Sequence, residues 1–234
     1  MQEHITQLES FEDQVNITFS NKEILSQAFT HRSYLNEQRG KRLQHNERLE
    51  FLGDAVLELV VTHFLFGKYP DEAEGILTAY RASLVNTESL SETSKQLHMD
   101  DYLRMSKGER MDTVKGRMHI LANTFESFVG AVYLDQGYDA AQQFVAENLF
   151  GKIDEIVEKK LFKDAKSYFQ ELAQEKEKVT PHYELAAHEG PDHDKQFVMA
   201  LYMNGEKIAE GSGASKQKAE TAAARAGLEK KGWV

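Results

Sequence analysis

Apolar residues recur three and four apart through most of the first 160 residues. The recurrence runs through Ile24–Ala28, Leu49–Val60, Leu84–Leu97 and Leu121–Leu134. That spacing puts one apolar face on an α-helix. Pro70 and Gly75 interrupt it in KYPDEAEG, and Gly108 and Gly116 mark a loop around SKGERMDTVKGR. An all-α helical bundle is the fold these features predict for the first part. From about residue 161 the texture changes. KDAKSYFQELAQEKE reads as a helix and HYELAAHE as a strand. KQFVMALYMNGEKIAEGSG reads as two strands joined at Asn204-Gly205, a strong hairpin signal. ASKQKAETAAARAGLEK closes the chain as an alanine-rich helix. The second part is therefore a small α+β domain of order α-β-β-β-α. EIVEKKLFKD joins the two parts with neither glycine nor proline.

With 234 residues, 41% of them hydrophobic, the chain can bury one large core or two modest ones. No apolar run reaches the roughly 18 residues of a membrane span. The start, MQEHITQLESFEDQ, lacks the basic and apolar regions of a secretory signal. Absence of cysteine excludes disulfides and thiolate metal sites. A cytoplasmic protein without membrane association is the reading. The net charge of −10 argues against non-specific nucleic-acid binding by the whole chain. The acid is unevenly spread, however. Residues 1–160 carry 17 Lys and Arg against 26 Asp and Glu, and residues 161–234 carry 11 against 12. The second part can still present a basic face.

NERLEFLGDAVLELV, residues 46–60, places Glu47, Glu50, Asp54 and Glu58 three, four and four apart. On a helix these fall within an arc of about 80°. Leu49, Leu52, Ala55, Val56, Leu59 and Val60 cover most of the rest. The stripe reads either as a solvated face or as a set of cation ligands. Like charges four apart weaken a helix by a few tenths of a kcal/mol each, and a bound cation would turn that repulsion into binding. A second helix, HILANTFESFVGAVYLD, carries Asn123 and Glu126 on a face completed by Ser127 and Gly130. Gly130 in mid-helix costs about 1 kcal/mol relative to alanine and points to a close neighbour, for which the first helix is a candidate. If the two stripes face each other, Glu50, Asp54, Asn123 and Glu126 form an all-oxygen set. Such a set suits Mg2+ or Mn2+ rather than zinc, and it serves phosphoryl chemistry.

In the second part, GSGASKQKAE sets Lys216 and Lys218 at a helix start, the unfavourable end of the helix dipole for a cation. Either this is an ordinary solvated start, or an anion is bound there by backbone N–H groups and the lysines. EGPDHDKQ joins the first two strands and carries His193; a lone loop histidine is most often simply exposed.

NERLEFLGD at 46–54 resembles the signature of the ribonuclease III family. THRSYLNE at 30–37, RASLVNTESL at 81–90 and LANTFESFVGAVYLD at 121–135 are similar to other segments of that family. The last part of the chain resembles a double-stranded-RNA-binding domain. The resemblance implies an all-α nuclease and dimerisation domain over 1–158, a short linker at 159–162 and an RNA-binding domain over 163–232. It implies a cytoplasmic homodimer that cuts double-stranded RNA with Mg2+ (Mn2+ substituting), as in rRNA and mRNA processing. The ends would be 5′-phosphate and 3′-hydroxyl, with short 3′ overhangs. Glu50, Asp54 and Glu126 match metal-binding positions, Asp54 and Glu126 being the catalytic pair, and Glu47 and Glu74 match outer acidic positions. Phe51 matches a residue that inserts into the partner subunit. Gln170, Glu171, His193, Lys216 and Lys218 match RNA-contact regions, and such domains read A-form shape more than sequence.

The chain departs from the family pattern at Asn123, where aspartate is usual and ligates metal. Asparagine keeps a carbonyl oxygen and loses one negative charge. The alternative reading is a double-stranded-RNA-binding protein with weak or no cleavage. A non-catalytic helical scaffold is a third, and it predicts that the carboxylates have drifted, which they have not.

Overall fold

In the computed structural model, residues 2–37, 43–110, 113–190 and 195–233 are described. The chain forms two compact units, Met1–Ile153 and Asp154–Val234. Among its described residues the first is built from helices: α1 (Gln2–Val15), α2 (Lys22–Ala28), α3 (Arg32–Glu37), α4 (Glu47–Lys68), α5 (Glu74–Val85), α6 (Thr87–Gln96), the short α7 (Met99–Tyr102) and α8 (Lys107–Arg110), α9 (Val114–Gln136) and α10 (Tyr138–Leu149). A single 3-10 turn, Phe150–Lys152, follows. Among the described residues, no helix is long and apolar enough to cross a membrane.

Helix α9 runs through the core, burying Ile120, Leu121, Phe125, Phe128, Val129 and Val132. The Phe128 ring meets Phe11, Phe19, Phe29 and Phe144 at centroid distances of 4.9–6.0 Å, in tilted and edge-on arrangements that suit ring quadrupoles. The structure differs from the sequence reading at several boundaries: Gly75 lies in α5 and Gly108 in α8, not in breaks. The periodic run Leu84–Leu97 is two helices, because Asn86 turns extended and its side chain accepts the Ser89 N–H, capping α6. Gly116 belongs to the first turn of α9 rather than to a loop, since Thr113 caps that helix by accepting the Gly116 N–H at 3.2 Å.

A buried histidine ties the start of the chain to this core. His4 is 8% exposed. Its Nε2 donates to the Tyr102 carbonyl at 2.8 Å, and its Nδ1 lies 3.3 Å from the Ser26 hydroxyl. Burial, outweighing the Tyr102 bond and aided by the Arg104 charge, lowers its pKa from 6.5 to about 4. The unfolded chain takes up this proton near pH 6.5 and the folded chain only near pH 4. The stability His4 contributes is therefore complete above pH 6.5 and lost as pH falls toward 4, by about 3 kcal/mol. Urea unfolding of the protein and of His4→Gln between pH 7 and pH 4 checks this. The parent should lose more stability than the variant, and parallel losses would sink the assignment.

The second unit begins with α11 (Ile153–Glu158), its first residue shared with the boundary, and continues with α12 (Ala165–Glu177), β1 (His182–Glu189), β2 (Gln196–Met203), β3 (Glu206–Gly213) and α13 (Lys216–Lys231). The strands form an antiparallel sheet of order β1-β2-β3. Asn204 and Gly205 both take positive φ, 51° and 77°, as a tight two-residue hairpin requires. Phe169 and Ala173 of α12 pack with Leu201, Met203 and Ile208 of the sheet and Ala223, Ala224 and Leu228 of α13. The alanines of α13 let it lie close on β3. A Cβ on Gly211 would fall 2.0 Å from the Ala223 nitrogen.

Candidate active site

Helix α4 is fixed at its first turn by Asn46, which is 2% exposed. The Asn46 N–H donates to the Thr30 carbonyl at 2.9 Å, and its side-chain amide donates to the Ala28 carbonyl at 3.3 Å. Its own carbonyl accepts the Leu49 and Glu50 N–H groups at 2.8 and 2.9 Å, and the Ser127 hydroxyl of α9 at 3.4 Å. One turn further, the two helix backbones touch. A Cβ on Gly53 would lie 1.7 Å from the Glu126 carbonyl oxygen, and one on Gly130 would lie 2.3 Å from the Leu49 oxygen. The close neighbour that Gly130 calls for is α4.

This contact brings the two polar stripes together. Asn123 lies near enough to Glu50 to favour its charged form. Burial raises the Glu50 pKa, as do the charges of Glu47 and Asp54, while the neighbouring Asn123 amide opposes them. Glu126 is more strongly affected: burial first, then the charges of Asp54 and Glu50, push it up to about 8. Glu50 and Glu126, each raised in part by the Asp54 charge, belong to a site that gains from a divalent cation. Oxygen-only donors and mutual repulsion fit the metal requirement expected of this donor set. As they stand, no three histidine or carboxylate side chains among the described residues are grouped closely enough to hold one ion; the three interact as charges, not as a closed ligand set.

The ends of the stripe lie apart from this centre. Glu47 pairs with Arg32 at 3.2 Å and faces His45 at 3.7 Å. Glu58 pairs with Arg81 of α5 at 2.9 Å. The cations absent from the stripe itself thus come from other helices, as sequence spacing could not show. Glu74 opens α5 and lines a separate recess with Phe66, Leu77 and Arg81. Phe51 is 81% exposed, with Leu59 at 57% and Phe66 at 72% on the same helix. Leu59 and Ala55 are therefore not part of the buried remainder of α4, contrary to the helical-wheel reading; that side of the helix is an exposed apolar strip.

In the second unit, Gln170 and Glu171 are exposed on α12, and Lys216 and Lys218 are exposed at the start of α13. Ser215 caps α13 by accepting the Lys218 N–H at 3.2 Å. A Cβ on Gly213 would meet the Ala219 nitrogen at 2.8 Å, so the end of β3 fixes where the lysines begin. His193 lies outside the described residues. Sequence reasoning misses Lys166 of α12, which pairs with Glu220 of α13, and the bracing role of Asn46. An N-cap residue type directly before the acidic helix is the available signal for the latter.

The ribonuclease-III-like family model matches residues 21–153, and the double-stranded RNA binding motif matches residues 165–231. Ribonuclease 3 of Listeria monocytogenes is 42% identical over 226 residues, covering 97% of this chain and 98% of that protein. Ribonuclease 3 of Enterococcus faecalis is 44% identical over 216 residues, covering 92% and 94%. The nuclease domain of ribonuclease III from Campylobacter jejuni, solved in work on flexibility in a region involved in dimer formation, aligns with a TM-score of 0.54 and 36% identity. It covers 60% of this chain and 97% of that one. The chain belongs to the ribonuclease III family of double-stranded-RNA-specific endoribonucleases, with a nuclease domain followed by a double-stranded-RNA-binding domain.

Proposed function

We propose that the protein cuts double-stranded RNA with Mg2+, or Mn2+ in its place, as a cytoplasmic homodimer acting on structured transcripts such as rRNA precursors. The convergence of Glu50, Asp54 and Glu126 with Asn123, across the glycine contact between α4 and α9, carries this reading. Glu50, Asp54 and Glu126 hold the metal, Asn123 contributes its side-chain oxygen, and Asp54 and Glu126 are the catalytic pair. A bound divalent cation supplies Lewis acidity and charge neutralisation at the phosphate. Water attacks phosphorus in line with the 3′-oxygen. The P–O3′ bond breaks, a proton passes to that oxygen, and the ends are 5′-phosphate and 3′-hydroxyl. Cuts by two subunits, offset along the duplex, leave short 3′ overhangs.

Glu47 and Glu74 act from outside, Glu47 through its charge on Glu50. The exposed strip of Phe51, Leu59 and Phe66 supports dimerisation. A monomer rarely leaves such a run uncovered, and Phe51 inserts into the partner. Residues 1–158 serve as nuclease and dimerisation domain, 159–162 as linker and 163–232 as RNA-binding domain. Gln170, Glu171 and His193 contact the minor groove, and Lys216 and Lys218 contact phosphate, which makes binding salt-dependent.

The test is incubation of a long perfect RNA duplex with the protein in Mg2+ and in EDTA, with products resolved on a gel. Short duplexes that form only with Mg2+ are the expected result. A shifted but uncut duplex would overturn the cleavage reading. It would favour the second one, RNA binding with little cleavage, for which the neutral Asn123 in place of a charged ligand is the supporting observation.

A further inference from the structure

The second unit holds a recess that none of Gln170, Glu171, Lys216 and Lys218 lines. It has a volume of about 250 Å3 and lies between residues 159–163, the start of α12 and the later turns of α13. Its floor is apolar: Ala165, Tyr168 and Leu228 are 5, 4 and 4% exposed. Leu161 stands on the rim, 41% exposed. Hydrogen bonds fix the wall that carries it. Lys160 takes a positive φ of 52°, and its N–H donates to the Val157 carbonyl at 3.2 Å. The Leu161 N–H donates to the Ile156 carbonyl at 2.9 Å, which closes the end of α11 as a Schellman turn does. The Lys160 ammonium donates to the Tyr168 hydroxyl at 2.8 Å, and the Lys163 ammonium sits 4.2 Å from the centre of the same ring. Both cations are thereby held at the recess, and neither contact removes their charge.

The charge at the rim is positive. Lys160, Lys163 and Arg225 line the recess, and among the described residues no carboxylate forms an ion pair with any of them. Of the other charges nearby, Lys159 pairs with Glu155 at 2.8 Å. Asp164 caps α12 by accepting the Ser167 N–H at 2.9 Å, and Glu229 is the acid among the lining residues. An apolar floor beneath unpaired cations suits a ligand with an apolar body and a phosphate. An unpaired nucleotide has both, whereas a base inside a duplex keeps its faces stacked and would have to be flipped out. The rim also continues a line of positive charge. Arg225 follows Lys218 by seven residues on α13, so the two share a helix face about 10 Å apart along the axis. The uncharged Thr221 and Ala222 lie between them. An RNA strand with a phosphate on Lys218 can run on past Arg225 to the recess. We propose that the recess binds an unpaired nucleotide flanking the duplex, its phosphate on Lys163 and Arg225 and its base against Leu161, Ala165 and Leu228. The inference rests on the reading of Lys218 as a duplex phosphate contact.

The test measures binding of labelled RNAs to the full chain in EDTA, at about 0.15 M salt so that distant charges are screened. One RNA is a blunt duplex. The others are the same duplex with a short single-stranded extension at a 5′ or a 3′ end. At least one extension should tighten binding about fivefold or more. An abasic extension of the same length should give the smaller part of that gain. The double variant Lys163→Gln/Arg225→Gln should lose most of the gain while binding the blunt duplex within about twofold of the parent. No gain from either extension in the parent would overturn the proposal. So would a full gain in the double variant or with the abasic strand. A peptide alternating leucine and glutamate is the second probe. If it bound the parent but not the double variant, while neither extension added affinity, the recess would belong to an acidic protein partner instead. Lys218→Gln should weaken binding of the blunt duplex about threefold or more. If it did not, the reading of Lys218 would fail, which keeps that failure apart from failure of the recess.

Discussion

Glu126→Gln is expected to reduce cleavage of a long RNA duplex by about 1,000-fold or more while leaving duplex binding within about threefold. Glutamine keeps the shape of the side chain and its carbonyl oxygen but removes the charge. Glu126 is the carboxylate most burdened by its surroundings, raised to about 8 by burial and by Asp54 and Glu50. A group kept at such a cost to its own ionisation is the one whose charge the site most needs when a cation is present. Binding should persist because Gln170, Glu171, Lys216 and Lys218 belong to the second unit. A second readout separates function from folding. In EDTA at alkaline pH the neutral variant should be more stable than the parent, by about 1 kcal/mol, because one like charge leaves the cluster. Single-turnover cleavage, filter binding and a thermal melt check the three parts. A variant that cuts within tenfold of the parent would remove Glu126 from the site.

Much of the fold and of the site is legible in the amino-acid sequence, for identifiable reasons. Periodicity alone separates helix from strand where elements are long and one face is buried. Hence α4, α9, β1 and the hairpin at Asn204-Gly205 sit where the pattern puts them. The failures occur where a local hydrogen bond decides. Asn86 and Thr113 each cap a helix that the apolar spacing runs across or begins too late. The stripe itself is visible in the spacing, but not the pairing of its two ends with arginines. Arg81 is 23 positions from Glu58 and Arg32 is 15 from Glu47, so no spacing rule connects them. The exposed strip of Phe51, Leu59 and Phe66 is hidden for the opposite reason. An apolar residue that awaits a partner looks the same in sequence as one buried in its own core. The family resemblance supplies Phe51, and the helical wheel does not.

Gly53→Ala is expected to disable the protein more broadly than loss of any carboxylate, by deforming the site and the core together. The added Cβ would sit 1.7 Å from the Glu126 carbonyl oxygen, 2.6 Å from its carbon and 2.9 Å from the Gly130 nitrogen. All three are backbone atoms in the middle of a buried helix, so no side chain can swing aside. Relief requires α4 and α9 to separate by more than an ångström. That would open the packing around Leu49, Val56, Phe125 and Val129, all buried. Overpacking of a tight core ordinarily costs about 1–3 kcal/mol. A contact between two backbones should reach or exceed the top of that range, set against the roughly 1 kcal/mol that alanine gains over glycine in a helix interior. The same displacement moves Glu50 and Asp54 away from Asn123 and Glu126, so whatever folds should cut poorly even at high Mg2+. Gly67→Ala is the control. It lies on the same helix with nothing within 4 Å of its added Cβ, and it should be neutral or slightly stabilising. Urea unfolding of the two variants, with duplex cleavage at saturating Mg2+, reads both effects. If Gly53→Ala matched Gly67→Ala in stability and rate, the backbone contact that aligns the two stripes would not exist in solution, and the carboxylates would need another means of meeting.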